Sequence, residues 1–282
     1  MNSPETTGYS AFRACLRFEA TKMLHRRMCW AILLATLLAV AAAGWLEGRA
    51  EVPPLSWSLY AALLEKTMPL VAFFLLVTGC VAVNEEISSG SLRAVLLRPV
   101  PREMFLSCKI LCLCFFALVV ALLDLGAAWV WTSMHGGFSA VVVDLSSQGL
   151  ESVVKFDSAE IRAHVLKLSA STLPPILCAP LFGVLISILV ESTGFSVALG
   201  VSGFMVMKTV GSLGGTWAAA CYPAWMDRAL NLMDELSRGV ETRLTLVQDL
   251  RPWSAEFLGP LLLAGMFALA SLVLFQSKEI RC

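Results

Sequence analysis

Six apolar stretches, each of membrane-crossing length, alternate with polar and charged segments along the chain. A helix rises about 1.5 Å per residue and needs roughly 20 apolar residues to cross the hydrocarbon of a bilayer. On that measure spans are predicted at about 29–46, 63–84, 104–131, 168–190, 195–213 and 257–275. The pattern therefore predicts an all-α integral membrane protein, one transmembrane domain over 1–282, with two longer segments between spans at about 133–167 and 217–253. In the first of these, Ser158-Ala159-Glu160-Ile161 supplies a capping hydroxyl and an early acid, predicting a helix that starts at Ser158. In the second, Leu230, Met233, Leu236 and Val240 recur at helical spacing within a mixed-charge stretch over 227–248. Pro174, Pro175 and Pro180 are expected to bend or delay the fourth span, since each removes a ladder hydrogen bond. Only residues 191–194 separate the fourth span from the fifth, which predicts a tight antiparallel pair.

Two polar segments carry helical order of their own. Ahead of the first span, Phe12, Leu16, Ala20 and Met23 share one face while Arg13, Arg17 and Lys22 lie off it, predicting a helix in the membrane interface. Between the second and third spans, Leu92, Val95 and Leu96 stand at i, i+3 and i+4 on a short amphipathic helix. Ser88 or Ser89 caps its start, and Pro99 ends it, because the residue before a proline resists the helical region.

Charge fixes the expected orientation. Arg13, Arg17, Lys22, Arg26 and Arg27 precede the first span, Arg93, Arg98, Arg102 and Lys109 occupy the second-to-third connector, and Lys278 and Arg281 end the chain. The opposite face has Arg49, Lys155, Arg162, Lys167, Arg228, Arg238, Arg243 and Arg251, mostly inside long loops that count little toward topology. Both termini and the connector are thus predicted cytoplasmic. Trp45, Trp57, Trp129, Trp131, Trp217, Trp225 and Trp253 then fall at the outer span ends, as an interfacial belt would. Composition agrees: 57% apolar and 15% charged residues, against roughly 25% charge in an ordinary soluble domain. A net charge of zero argues against a nucleic-acid partner.

The connector also carries a resemblance. Glu86-x-x-x-Gly90-Ser91-Leu92-Arg93-x-x-Leu96-x-Arg98-Pro99-Val100-x-Arg102, with Lys109 at the foot of the next apolar stretch, resembles the permeases of ABC-2 type transporters. Ser91 stands where that family usually has threonine, a change that keeps the hydroxyl. Glu19, Lys22 and Arg26, and Phe275 with Lys278-Glu279-Ile280, extend the likeness to both ends of the chain. The resemblance implies a six-span exporter permease in the bacterial or archaeal cytoplasmic membrane. It further implies a second permease copy, identical or not, and a separately encoded ATPase that holds ATP and magnesium, with no cofactor on this chain. Glu85, Glu86, Gly90, Ser91, Leu92, Arg93, Val95, Leu96, Arg98, Pro99 and Arg102 would form the ATPase-coupling element. Within it, Glu85 and Glu86 would position the helix by bonds to neighbouring spans.

Two further charges interrupt the spans. Asp124 lies 15 residues beyond Lys109, and Lys208 lies 14 beyond Gly194, so both stand about 21–22 Å from the cytoplasmic side. An ion in hydrocarbon costs at least a few kcal/mol, so such residues face an interior, a partner or water. The expectation is that Asp124 and Lys208 pair across the third and fifth spans, line the path at one level, or snorkel separately. An ATP-independent secondary transporter using these two charges, and a membrane assembly scaffold that transports nothing, are the alternative readings. Catalysis is not indicated. The chain has no Gly-x-x-x-x-Gly-Lys-Ser/Thr loop to cradle phosphates, and His25, His135 and His164 are scattered. Of the nine cysteines only Cys221 is expected outside, so neither a disulfide framework nor a metal site is predicted.

Overall fold

The computed structural model describes residues 5–49, 56–88, 101–135, 138, 141–143, 153–156, 158–214, 216–237 and 251–277. Among these residues six helices are long and apolar enough to cross a membrane. The chain begins with α1 (Glu5–His25), and a single extended residue, Arg26, joins it to α2 (Arg27–Glu47). It continues with α3 (Ser56–Ala82), the one-turn α4 (Asn84–Ser88) and the long α5 (Arg102–His135). After α5 come strands β1 (Val141–Val143) and β2 (Val153–Phe156), then α6 (Ser158–Ser171) and α7 (Leu173–Leu189). The last elements are α8 (Thr193–Ser212), a 3₁₀ turn at Thr216–Ala220, α9 (Tyr222–Ser237) and α10 (Arg251–Ser277).

The bundle has two ends. At one, the connector end, α3 and α4 finish, α5 starts and residues 190–192 turn α7 into α8; at the far end lie the β-ribbon and α9. The expected helix at Ser158 is present, and it runs on into the fourth span with one interruption at Thr172, directly before Leu173-Pro174-Pro175. Pro180 sits inside α7 without ending it. The helical architecture expected from the apolar runs stands, with an addition that alternation did not predict. β1 and β2 pair antiparallel, Val142 opposite Val154 and Val143 opposite Val153, with an irregularity after Val141.

Helices α3 and α7 form the centre, and α2, α5, α8 and α10 surround them. The central pair packs backbone to backbone. A Cβ on Gly183 would collide with the Leu76 carbonyl oxygen and the Cys80 amide nitrogen, and one on Gly79 with the carbonyl of Pro180. Helices in a bilayer gain little from apolar burial against each other, so close approach at small residues supplies the contact. The surrounding helices turn apolar side chains outward: Leu34 and Leu38 on α2, Phe115 on α5, Met205 and Val206 on α8, Leu262 and Met266 on α10. Such faces suit lipid or a neighbouring membrane subunit.

Two expectations change. Trp57 is not part of an interfacial belt; it is 2% exposed and packs edge-on to Trp129 at 6.0 Å and against Phe138 at 4.5 Å. An aromatic residue at a helix start reads the same in sequence whether it meets lipid or other rings. Trp45 does stay exposed, with the Arg49 guanidinium 3.7 Å above its ring. On α1, the apolar strip of Phe12, Leu16, Ala20 and Met23 remains part-exposed, and the most buried residue is Glu19. Countercharges on α4 and α5 choose which face of α1 is covered.

Helix α9 starts at Tyr222, earlier than its charge pattern predicts, and buries Met226, Leu230, Met233 and Leu236 against α3, α6 and α8. It covers the far end of the bundle; Val240 lies outside the described residues.

Candidate functional site at the connector end

Helix α4 is a single turn opened by Val83, and it carries Glu85 and Glu86 at its start, where the helix dipole favours acids. From there Glu86 points into the bundle and is 2% exposed. Lys109, two turns into α5 and 4% exposed, donates from Nζ to Glu86 Oε1 at 2.5 Å and to the Ala82 carbonyl at 3.1 Å. The same carboxylate oxygen accepts from Lys22 of α1. Glu19 Oε2 lies 3.5 Å from Lys109, and Arg26 meets Glu85 at 3.0 Å. Glu19 and Lys22 fall at i and i+3 on one face of α1, and Arg26 follows as the extended residue between α1 and α2.

The cluster balances: Glu19, Glu85 and Glu86 against Lys22, Arg26 and Lys109. That balance is what makes burial tolerable, because an unpaired ion here would cost several kcal/mol. Phe105 lies under Lys109, with its ring centroid 5.3 Å from Nζ. Cys108 and Cys112, one turn apart on α5, face α1, their thiols donating weakly at 3.8 Å to the carbonyls of Phe12 and Leu16. Burial raises the Cys15 thiol above its ordinary pKa, as befits packing rather than reactivity. Asn84 is fully buried; its backbone N–H donates to Ser187 Oγ at 3.1 Å and its side-chain amide has no partner among the described residues. The result is a joint tying the root of the connector to α1, α3 and α5.

Of the residues expected to couple to an ATPase, Glu85 and Glu86 belong to this joint. Gly90, Ser91, Leu92, Arg93, Val95, Leu96, Arg98 and Pro99 lie outside the described residues, and Arg102 is described only as the first residue of α5. The lysine and the α1 charges that complete the joint were visible only as scattered family-like positions. No periodicity links residues 19, 86 and 109.

The expected pairing of Asp124 with Lys208 is corrected. Asp124 is fully buried and its Oδ2 is hydrogen-bonded to Thr67 Oγ1 of α3 at 2.9 Å. Lys208 instead faces Asp227 of α9 at 4.0 Å, both part-exposed, beside a cavity of about 290 Å³ lined also by Glu65 and Asn231. Equal depth along two helices does not set their rotation: α3 packs on both α5 and α8, and each charge turns to its own neighbour. Burial raises the Asp227 pKa while Lys208 opposes the shift. Such a long, part-exposed pair is worth less than about 1 kcal/mol. Reversing Asp124 and Lys208 together will therefore not rescue the single reversals. Lys208→Asp with Asp227→Lys will match the wild-type stability to within about a few tenths of a kcal/mol, measured by thermal denaturation of the purified protein.

Among the described residues no His, Cys, Asp and Glu group is arranged to hold a metal ion. The profile of a family described as ABC-2 family transporter protein matches residues 15–207, more than half of the chain. The matched region takes in the joint and Asp124, and ends one residue before Lys208. No curated protein matches the chain.

Proposed function

The chain belongs to the ABC-2 family of transporter proteins, and from that premise we propose that it is the membrane-spanning permease subunit of an ATP-driven exporter. In this reading the connector end faces the cytoplasm, as the Lys and Arg distribution favours. A separate ATPase grips the helix of Leu92, Arg93, Val95, Leu96 and Arg98, and a second permease copy completes the transporter. ATP and magnesium bind to the ATPase, and this chain contributes no catalytic group. The membrane is the cytoplasmic membrane of a bacterium or archaeon.

The observation that supports the reading most is the ion cluster of Glu86, Lys109, Lys22 and Glu19 at the root of the connector. A loop free to swing would dissipate any displacement. Here the displacement passes to α1 and α5 through buried, charge-balanced contacts, so the connector and two helices move as one body. Two packings of those helices, favoured by different states of the ATPase, give the two-state change that transport needs.

Leu92→Asp combined with Leu96→Asp places two carboxylates on the apolar face of the connector helix. The double variant will insert normally and lose its stimulation of the partner ATPase, read as ATP turnover of the mixed subunits. Undiminished stimulation, or undiminished co-purification with an ATPase, contradicts the assignment of the docking helix.

A further inference from the structure

Thr67, midway along α3, meets two oxygens. Its Oγ1 is 3.0 Å from the Leu63 carbonyl and 2.9 Å from Asp124 Oδ2. A hydroxyl has one hydrogen to give. If Asp124 were ionised, both neighbours would be acceptors competing for that hydrogen. The other carboxylate oxygen, Oδ1, is buried with no hydrogen-bond partner among the described residues. A charged group held by half of one hydrogen bond in a dry site is strongly disfavoured.

Among the described residues no cation compensates. On α3 the nearest titratable groups are Tyr60, bonded through its hydroxyl to Ser169 at 3.2 Å, and Glu65 and Lys66, both exposed, with Lys66 paired to Glu47 of α2. Helix α7 offers only the buried thiol of Cys178, whose Sγ lies 3.2 Å from the Pro260 carbonyl oxygen and 3.5 Å from that of Pro174. The described side chains of α10 include no charged group, and the charges of α1 lie at the connector end. Lys208 of α8 is engaged by Asp227.

We propose that Asp124 is a proton-binding site, a neutral carboxylic acid whose Oδ2–H donates to Thr67 Oγ1. Every hydrogen then has one acceptor: Asp124 gives to Thr67, and Thr67 gives to Leu63. The proton comes from the aqueous phase and returns to it, with no change of oxidation state. The site joins α3 to α5 while it is occupied. Any movement that parts these helices and wets Asp124 stabilises the ionised form, so helix separation and proton release are linked. This inference stands on the local geometry and does not depend on the partner ATPase.

Infrared spectroscopy of the full chain in lipid at neutral pH tests it, with aspartates carbon-13 labelled. A protonated-carboxyl C=O band is expected that shifts with the label and with heavy water, and is lost in Asp124→Asn. Thr67→Val removes the acceptor, so the same band moves to higher wavenumber. Asp227→Asn, which changes the part-exposed aspartate beside Lys208, leaves it in place. Absence of a protonated-aspartate band from the wild-type spectrum overturns the proposal whichever variants fold. So does a band that survives Asp124→Asn, or one that is unmoved by Thr67→Val.

Discussion

Glu86→Gln will lose about 3–5 kcal/mol of stability, the usual result of breaking a buried ion pair from one side. Its carboxylate oxygen serves two ammonium groups at once, Lys109 and Lys22. Without it three cations face two carboxylates, and Lys109 is left with the Ala82 carbonyl and a glutamate 3.5 Å away. Lys109→Gln errs in the opposite direction, stranding Glu86 and Glu19 against Lys22. The double variant Glu86→Gln/Lys109→Gln restores neutrality, with Glu19 and Lys22 still one turn apart on α1. Its loss should fall short of the sum of the singles by about 1–3 kcal/mol, as for residues that share one network. Denaturation of the purified protein in detergent, followed for all three variants, measures this. Strict additivity would mean that the charges act independently and that no joint exists.

The second large effect belongs to the centre of the bundle. Gly183→Leu will abolish the folded protein, whereas Gly265→Leu on α10 will leave it intact. The added Cβ at 183 meets the Leu76 carbonyl and the Cys80 backbone nitrogen, neither of which can rotate away as a side chain can. Overpacking a core commonly costs about 1–3 kcal/mol, and a clash with fixed backbone on both sides exceeds that range. At Gly265 nothing lies within 4 Å of the new atom. Monodispersity on size exclusion and the thermal midpoint distinguish the two. A stable, monodisperse Gly183→Leu protein would show that α3 and α7 do not approach this closely.

Much of the fold was legible because a bilayer leaves few options: a long apolar run must be a helix, and its length sets its limits. The run read as 63–84 falls in α3, which starts earlier, at Ser56, and reaches the first residue of α4; the proline step before Ile176 marks the interruption at Thr172. Rotation about each helix axis was not legible. Asp124 and Lys208 were placed at similar depth, yet their partners, Thr67 and Asp227, are set by which faces α3 and α9 present. Thr67 left a trace, being a rare polar residue in its run. Asp227 left a weaker one, as one of four acids within the mixed-charge stretch over 227–248. The ribbon of Val141–Val143 and Val153–Phe156 escaped because strands of three and four residues give no period to read. On α1 the apolar face was visible and the covered face was not, since its cover depends on Glu86 and Lys109 arriving from elsewhere in the chain.

The central claim is that the joint carries motion from the connector into the membrane helices. Genetically encoded spin labels at Ser133 on α5 and Asn231 on α9, both exposed at the far end, report that motion without any knowledge of the cargo. In the proposed complex with a separate ATPase, binding of magnesium and a non-hydrolysable ATP analogue will change the distance distribution between them. The change will be absent when Glu86→Gln/Lys109→Gln is introduced and the ATPase remains bound. An identical change in the double variant would contradict the account.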